Sequence, residues 1–436
     1  MVTADTMHSK ATIVIVECYS SAVNYIHDIR ERGYEPVLLE LYAPEEERDS
    51  IRKINDKAYI FNGDPCPDII IAGKNYEETL KTIKKLSPIL ILPGSDLGLE
   101  LSLKLSYDLG LKSNPLSAFG NLRDKLVMQE ILKSSGIRYI KSRPVCSEEE
   151  AVDFYRKEQG KKVVIKPSQC AGSVGVFICG SESEVIKAYS INDKFLKSRS
   201  RKNEKIIIQE YIDGEEYVID TVSCEGEHTA LFGMKYIKRM CEGFGKIYDT
   251  DIYLSTDDDT LNELVDYCFR VISALGVKYG PIHGEFMVDE KGPVLIEVNA
   301  RPAGAFQKYT FQDKVMGNHE TAAALDSYFM FQKQFSYLYP KRTHLKQYAV
   351  VKQICLDEPI FVEKVKITEC LSSLKSFEYA VEHGENRVYP KTVDLDSNGG
   401  IIYLTSEDEK EVENDLNEIY KLERSGLNEL FDWHRA

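Results

Sequence analysis

His283-Gly284-Glu285-Phe286-Met287-Val288-Asp289-Glu290-Lys291-Gly292-Pro293-Val294-Leu295-Ile296-Glu297-Val298-Asn299-Ala300-Arg301 reads as two apolar strands joined by a tight glycine-bearing turn. Alternation puts Glu285 and Met287 on one face of the first strand, and Glu297 with Asn299 on one face of the second. Pairing across the turn gathers three oxygen-bearing side chains and leaves Phe286, Val288, Ile296 and Val298 on the opposite, apolar face. Two carboxylates and an amide oxygen are a hard donor set that suits Mg²⁺, whose other positions stay open to water and phosphate oxygens. The competing reading is a hairpin whose polar face is merely solvated. Glu-x-Asn alone does not separate the two; Arg301 and three upstream segments do.

The first of these segments is Val163-Val164-Ile165-Lys166-Pro167-Ser168-Gln169-Cys170-Ala171-Gly172-Ser173-Val174-Gly175-Val176. An apolar strand delivers one lysine into a glycine-rich loop. Gly172 and Gly175 let the backbone close over phosphate oxygens, and Ser173 adds a hydroxyl and N–H donors. It is neither a Walker loop nor a dinucleotide fingerprint, because the lysine precedes the glycines and no helix-opening Gly-Lys-Ser/Thr follows. A lysine ending a buried strand wants an anionic partner. The second segment, Ile206-Ile207-Ile208-Gln209-Glu210-Tyr211-Ile212-Asp213-Gly214-Glu215-Glu216-Tyr217, offers main-chain donors and acceptors to adenine and, through Glu216, an acceptor for ribose hydroxyls. The third, Arg123-Asp124-Lys125, opens a helix expected to run from Asn121 to about Ser134, and Lys125 is a candidate second phosphate lysine. Standing alone, each would read as a solvated charge or an ordinary amphipathic strand.

Around these segments the chain of 436 residues is long enough for two or three domains. Ala11 to Cys18, Pro36 to Leu41, Ala58 to Phe61, Ile69 to Ile71 and Ile89 to Leu92 alternate with helical patterns at Ala22 to Arg32 and Tyr76 to Leu86. That rhythm implies a parallel sheet over 11–115. From 116 to 330 the pattern turns antiparallel, with a small lobe at about 140–212 and a helix at Asp257 to Leu275. Beyond about Met330, strands at Ala349 to Leu356, Val365 to Glu369 and Gly400 to Leu404 and a charged helix from Glu407 predict a smaller α+β domain over 331–436. The formal charge of −15 argues against a nucleic-acid surface, which needs clustered Lys and Arg. The 10 cysteines contain no Cys-x-x-Cys pair and read as reduced thiols. No run of about 18 apolar residues suggests a membrane span, so a cytoplasmic protein is expected.

Taken together and in this order, the segments resemble the ATP-grasp superfamily over residues 11 to 330. The resemblance implies an N-terminal parallel α/β domain, a central two-lobed ATP-binding region and the C-terminal α+β domain. It implies ATP and Mg²⁺ as cofactors, with Mn²⁺ as a substitute. Lys125 and Lys166 would touch phosphates, under a loop carrying Gly172 and Ser173. Gln209, Glu210 and Ile212 would read adenine and Glu216 the ribose, with Tyr211, Met287 and Ile296 among the other ATP-binding residues. Glu285, Glu297 and Asn299 would hold the metal.

Within the superfamily the chain looks most like L-amino-acid ligases of the bacilysin-synthetase type. The likeness is carried by Gly94-Ser95-Asp96-Leu97-Gly98-Leu99-Glu100-Leu101, Leu109 to Asn114, Lys166-Pro167 with Ala171-Gly172-Ser173, His283-x-Glu285 and Glu297-x-x-x-Arg301-x-x-Gly304. It implies an ATP-dependent ligase that joins amino acids, or a carboxylate and an amine, through an acyl phosphate, with release of ADP and phosphate. Arg301 would stabilise developing negative charge, and His283, Arg301 and Gly304 would bind substrate; a buried structural histidine is the other reading of His283. A basic residue on the strand through Lys235, Lys238 and Arg239 would reach the γ-phosphate, and Lys238 is the choice made here. Family members are often dimers, so a homodimer is among the states allowed, with no nucleic acid or membrane partner. Two departures stand out: Gln169-Cys170 where Asn-Ser is common, and Pro302-Ala303-Gly304-Ala305 with one glycine where two are common. The rival functions are a ligase of a carrier-bound or non-amino-acid substrate, and a non-catalytic nucleotide-binding protein.

Overall fold

The computed structural model describes residues 10–42, 63–169, 175–198, 204–241 and 245–436. The strand expected at Ala58 to Phe61 lies outside them, as do Gly172 and Ser173. Near the N-terminus, β1 (Thr12–Val16), β2 (Glu35–Glu40), β3 (Asp68–Ile71) and β4 (Leu90–Pro93) form a parallel sheet in the order β3-β2-β1-β4. Ile13 to Val16 are fully buried because helices such as Asn24–Glu31 and Leu99–Asp108 pack on the sheet. The turn after β4 lies against the end of β1: a Cβ on Gly94 would stand 2.6 Å from the Glu17 carbonyl oxygen, and one on Gly98 2.3 Å from that of Val16. Only glycine fits there, and the turn carries Asp96 toward the rest of the molecule.

A small antiparallel sheet follows, made of β5 (Ser142–Val145), β6 (Val163–Pro167), β7 (Phe177–Cys179) and β8 (Ile206–Glu210) in the order β5-β8-β6-β7. The helices Glu148–Lys157 and Glu182–Ser198 cover it, and Phe154, Val163, Ile165, Val185 and Ile208 form its own core.

The main body is an eight-stranded antiparallel sheet in the order β13-β12-β9-β10-β11-β14-β18-β16. Its strands are β9 (Glu215–Cys224), β10 (Glu227–Cys241), β11 (Gly245–Leu254), β12 (Gly280–Asp289), β13 (Gly292–Asn299), β14 (Tyr348–Ile354), β16 (Phe377–Val381) and β18 (Gly400–Ser406). Three strands of 331–436, β14, β18 and β16, therefore continue the sheet of the central region, through the β11–β14 pairs Thr250↔Lys352 and Asp251↔Val351. Lys352 is fully buried at this junction and is neutralised by Asp249 at 2.7 Å and Glu423 at 2.9 Å. A separate three-stranded sheet, β17 (Arg387–Tyr389), β15 (Ile360–Val365) and β19 (Phe431–Arg435), completes the C-terminal part.

One strand and two helix starts differ from the sequence reading: at Val365 to Glu369 the strand β15 ends at Val365 and a short helix covers Ile367–Leu371, with Ile367 and Leu371 buried. The helix expected from Asn121 begins at Lys125, because Asp124 accepts hydrogen bonds from the Leu126 and Val127 amides and caps it. The helix expected from Asp257 is regular over Asn262–Ala274, after a short 3₁₀ turn capped by Asp258. Among the described residues no helix is long and apolar enough to cross a membrane, and every cysteine is free.

Candidate active site

A cleft of ≈ 260 Å³ opens between the small sheet and the eight-stranded sheet. Lys166, at the end of β6, and Lys125, at the first turn of its helix, both reach it and are both buried. The Lys125 amide donates to the Ser168 carbonyl at 2.9 Å, which ties the helix start to the loop after β6. Across the cleft the hairpin register sets Glu285 opposite Glu297. Lys125 Nζ lies 2.5 Å from Glu297 Oε2, and the Asn299 amide donates to Glu297 Oε1 at 3.1 Å. Burial alone would raise the Glu297 carboxyl, but the attraction and hydrogen bond of Lys125 outweigh it and bring it down to about 2. Burial, followed by repulsion from Lys125, lowers the Lys166 ammonium to about 8.

Alternation misplaces one hairpin residue. A bulge between Glu285 and Phe286 makes Phe286 pair with Leu295, so Ile296 is the extra residue. Leu295 takes the fully buried place beside Phe286, and Ile296 turns with Met287 into the cleft. Val288, Phe286 and Val298 pack on the apolar side as read.

At the outer end, Gln209, Glu210, Tyr211 and Ile212 line the cleft as β8 runs into its linker. Gln209 is buried and donates to Ser142 Oγ at 2.7 Å; Glu210 accepts from the Lys141 amide at 2.8 Å. Glu216 and Lys238 face each other across β9 and β10 with a 2.6 Å hydrogen bond, and both line the cleft. Lys235 instead pairs with the exposed Glu215, and Arg239 faces Asp357 at 3.9 Å. Of the three basic residues, Lys238 alone is among the cleft-lining ones.

Toward the inner end, His283 Nδ1 is 2.8 Å from Asp220 Oδ1, and its Nε2 is 3.5 Å from Glu285. Burial would depress the imidazole, but Asp220 overrides it and raises its pKa to about 10, so it is held as a cation. Arg301 donates through Nε to Asp96 at 3.0 Å and through a terminal nitrogen to the Pro302 carbonyl at 2.9 Å. Gly304 lines the cleft, and its carbonyl accepts from Ser21 Oγ at 2.9 Å. Ala305 and Phe306 follow at φ 66° and 56°, a left-handed pair of non-glycine residues. Phe306 N donates to Ser20 Oγ at 3.0 Å, Gln307 N to Ser21 Oγ at 2.8 Å, and the Tyr403 hydroxyl to the Ala305 carbonyl, which together hold this turn.

Among the described residues no group of three or more His, Cys, Asp or Glu side chains is arranged to hold a metal. Of the residues expected to hold the metal, Glu285 and Glu297 face each other on the hairpin and line the cleft, while Asn299 is buried, pairs with His283 and donates its amide to Glu297.

Residues 159–308 match the family model described as an ATP-grasp domain. The chain carries an ATP-grasp domain. The wider chain is 28% identical over 316 residues to dapdiamide A synthase of Enterobacter agglomerans, covering 70% of this chain and 71% of that one. It is 27% identical over 184 residues to an L-arginine-specific L-amino acid ligase of Bacillus subtilis, spanning 44% of that protein's length and 42% of its own. Its fold is also that of the L-amino acid ligase from Bacillus licheniformis, with a TM-score of 0.74, 16% identity, and coverage of 98% of this chain and 99% of that one.

The ATP-grasp cleft also contains residues that sequence reading missed. Asp251 on β11, Gln307, Gln353 on β14, and Val393 with Leu395 from the C-terminal part all line its inner end. Asp251 carried a weak signal, as one of two acids, with Asp249, in the strand Ile247 to Leu254. Gln353 and Leu395 carried none, because they reach the cleft only through the β11–β14 pairing and the packing of a distant segment.

Proposed function

We propose that this ATP-grasp chain is an ATP-dependent carboxylate–amine ligase that joins amino acids through an acyl phosphate. One observation carries the reading. A single cleft is lined by Lys125, Lys166, Lys238, Glu285 and Glu297, with Asn299 bonded to Glu297, and by Arg301 and His283, which Asp96 and Asp220 hold in place. The first group suits a polyphosphate, and the second suits a carboxylate brought beside it.

Adenine lies against Met287 and Ile296, with the β8 linker offering main-chain groups and Glu216 the ribose acceptor. Lys125 and Lys166 hold the β- and γ-phosphates, and Lys238 approaches the transferred group. Bound through Glu285, Glu297 and Asn299, Mg²⁺ supplies charge neutralisation on the phosphate oxygens. A substrate carboxylate oxygen attacks the γ-phosphorus, the bond to the β-phosphate oxygen breaks, and ADP leaves. The amine nitrogen then attacks the acyl carbon, the carbon–oxygen bond to phosphate breaks, and phosphate leaves as the nitrogen loses a proton. Arg301, oriented by Asp96, places positive charge where the oxyanion develops. The site asks for no nucleic acid or membrane, and a cytoplasmic setting follows from an ATP-consuming reaction on small molecules.

The test is a screen of paired L-amino acids with MgATP, following ADP release and product mass. Amide product formed with stoichiometric ADP supports the reading; ATP turnover absent from every pair overturns it.

A further inference from the structure

The inner end of the cleft is built from polar groups that the nucleotide does not use. Asp251 is 6% exposed, lines the cleft, and its Oδ1 has no hydrogen-bond partner. Gln353 is 2% exposed, lines the same cleft, and its Nε2 is also without a partner. The β11–β14 register explains why they share a wall. Asp251 pairs with Val351, so Gln353, two residues further along β14, is its diagonal neighbour on one face, about 7 Å away by general strand geometry.

A bulge in the β10–β11 ladder gives Asp251 its orientation. The register slips between Ile237 and Lys238, opposite Tyr248 and Thr250. Tyr248 and Asp251 both line the cleft, whereas Asp249 and Thr250 bond to Tyr420 on the other side. Tyr236 and Tyr248 flank Asp251, and Val393 and Leu395 contribute apolar wall.

An acceptor and a donor, both buried, both unsatisfied and set side by side, call for a ligand that offers a cation and an oxygen together. Resting on the ligase reading, we propose that Asp251 and Gln353 bind the head group of the acid-donating substrate, an α-amino acid. Its ammonium sits on Asp251, and one of its carboxylate oxygens takes the Gln353 amide. The acid donor is the partner that matches, because an attacking amine must shed its proton and expose its lone pair, which a carboxylate pairing opposes. Burial raises the Asp251 carboxyl to about 7 in spite of Lys238, which is the cost an incoming ammonium would remove.

The experiment compares each standard L-amino acid with its deaminated carboxylic acid as acid donor, reading MgATP-dependent ADP release by the full chain. Wild type is expected to favour the amino acid in kcat/KM, and Asp251→Asn to shrink that preference by about 10- to 100-fold, the worth of a hydrogen bond to a charged group. Gln353→Leu is expected to lower kcat/KM for both members of a pair, and a thermal melt of each variant separates loss of folding from loss of binding. A preference unchanged in Asp251→Asn overturns the proposal. If wild type turns over no pair, the ligase reading is what fails, and calorimetry with the same L-amino acids in the presence of ADP decides the head-group site. Binding to wild type that Asp251→Asn abolishes supports it; no binding to wild type overturns it.

Discussion

Lys125 Nζ and Glu297 Oε2 lie 2.5 Å apart in the cleft, and both side chains are nearly buried. The pair joins a helix start fixed by the Asp124 cap to a strand of the hairpin, so it fastens the phosphate side of the cleft to the metal side. Removing one member leaves the other a buried charge that has lost its nearest opposite charge. Lys125→Met is expected to lower stability by up to about 3 kcal/mol. The double variant with Glu297→Gln should recover part of that loss. Urea unfolding of the four-member cycle measures the coupling, and a value near zero would contradict the arrangement.

The turn after β4 places Asp96 on Arg301 only because Gly94 and Gly98 lie flush against β1. Gly94→Ala forces backbone against backbone and is expected to cost about 1–3 kcal/mol. Because Asp96 then shifts, kcat should fall more than KM rises. Steady-state kinetics beside a denaturation curve checks both parts.

His319 spans two acids, with Nε2 2.7 Å from Asp28 and Nδ1 2.8 Å from Asp313. Burial would lower its pKa, but the hydrogen bonds to Asp28 and Asp313 outweigh it and raise it to about 9. A folded value above the unfolded one of about 6.5 means that this contribution is complete below about pH 6.5 and is lost as pH rises through about 9. The stability advantage of wild type over His319→Gln should therefore shrink by about 2–3 kcal/mol between pH 6 and pH 10. Equal slopes for the two proteins would refute the assignment.

Ala305 holds φ 66° in the turn that follows Gly304. A β-branched side chain is far less tolerated there, so Ala305→Val is expected to lose about 2 kcal/mol. Ala305→Gly should stay within about 1 kcal/mol of wild type, because relief of strain offsets added unfolded-state entropy. Chemical denaturation of the two variants tests the ordering.

Legibility followed the range of the interactions. The facing of Glu285 and Glu297 could be read because hairpin register is local and its turn is short. Ile296 was misplaced on the hairpin because a one-residue bulge reverses alternation without changing composition. The joining of β14 to β11 was hidden because nearly a hundred residues separate Asp251 from Val351, and no local pattern encodes that pairing. The inner end of the cleft was hidden with it, since Gln353 enters on β14. The Lys238 orientation could be reached by alternation from Met234 and Tyr236, whereas its 2.6 Å bond to Glu216 needed the structure.

The central claim is transfer of a phosphoryl group to a carboxylate before amide formation, and oxygen-18 follows it directly. With both oxygens of the acid-donating amino acid labelled, the account predicts one labelled oxygen in each phosphate released with product. Amide product formed with unlabelled phosphate would contradict it.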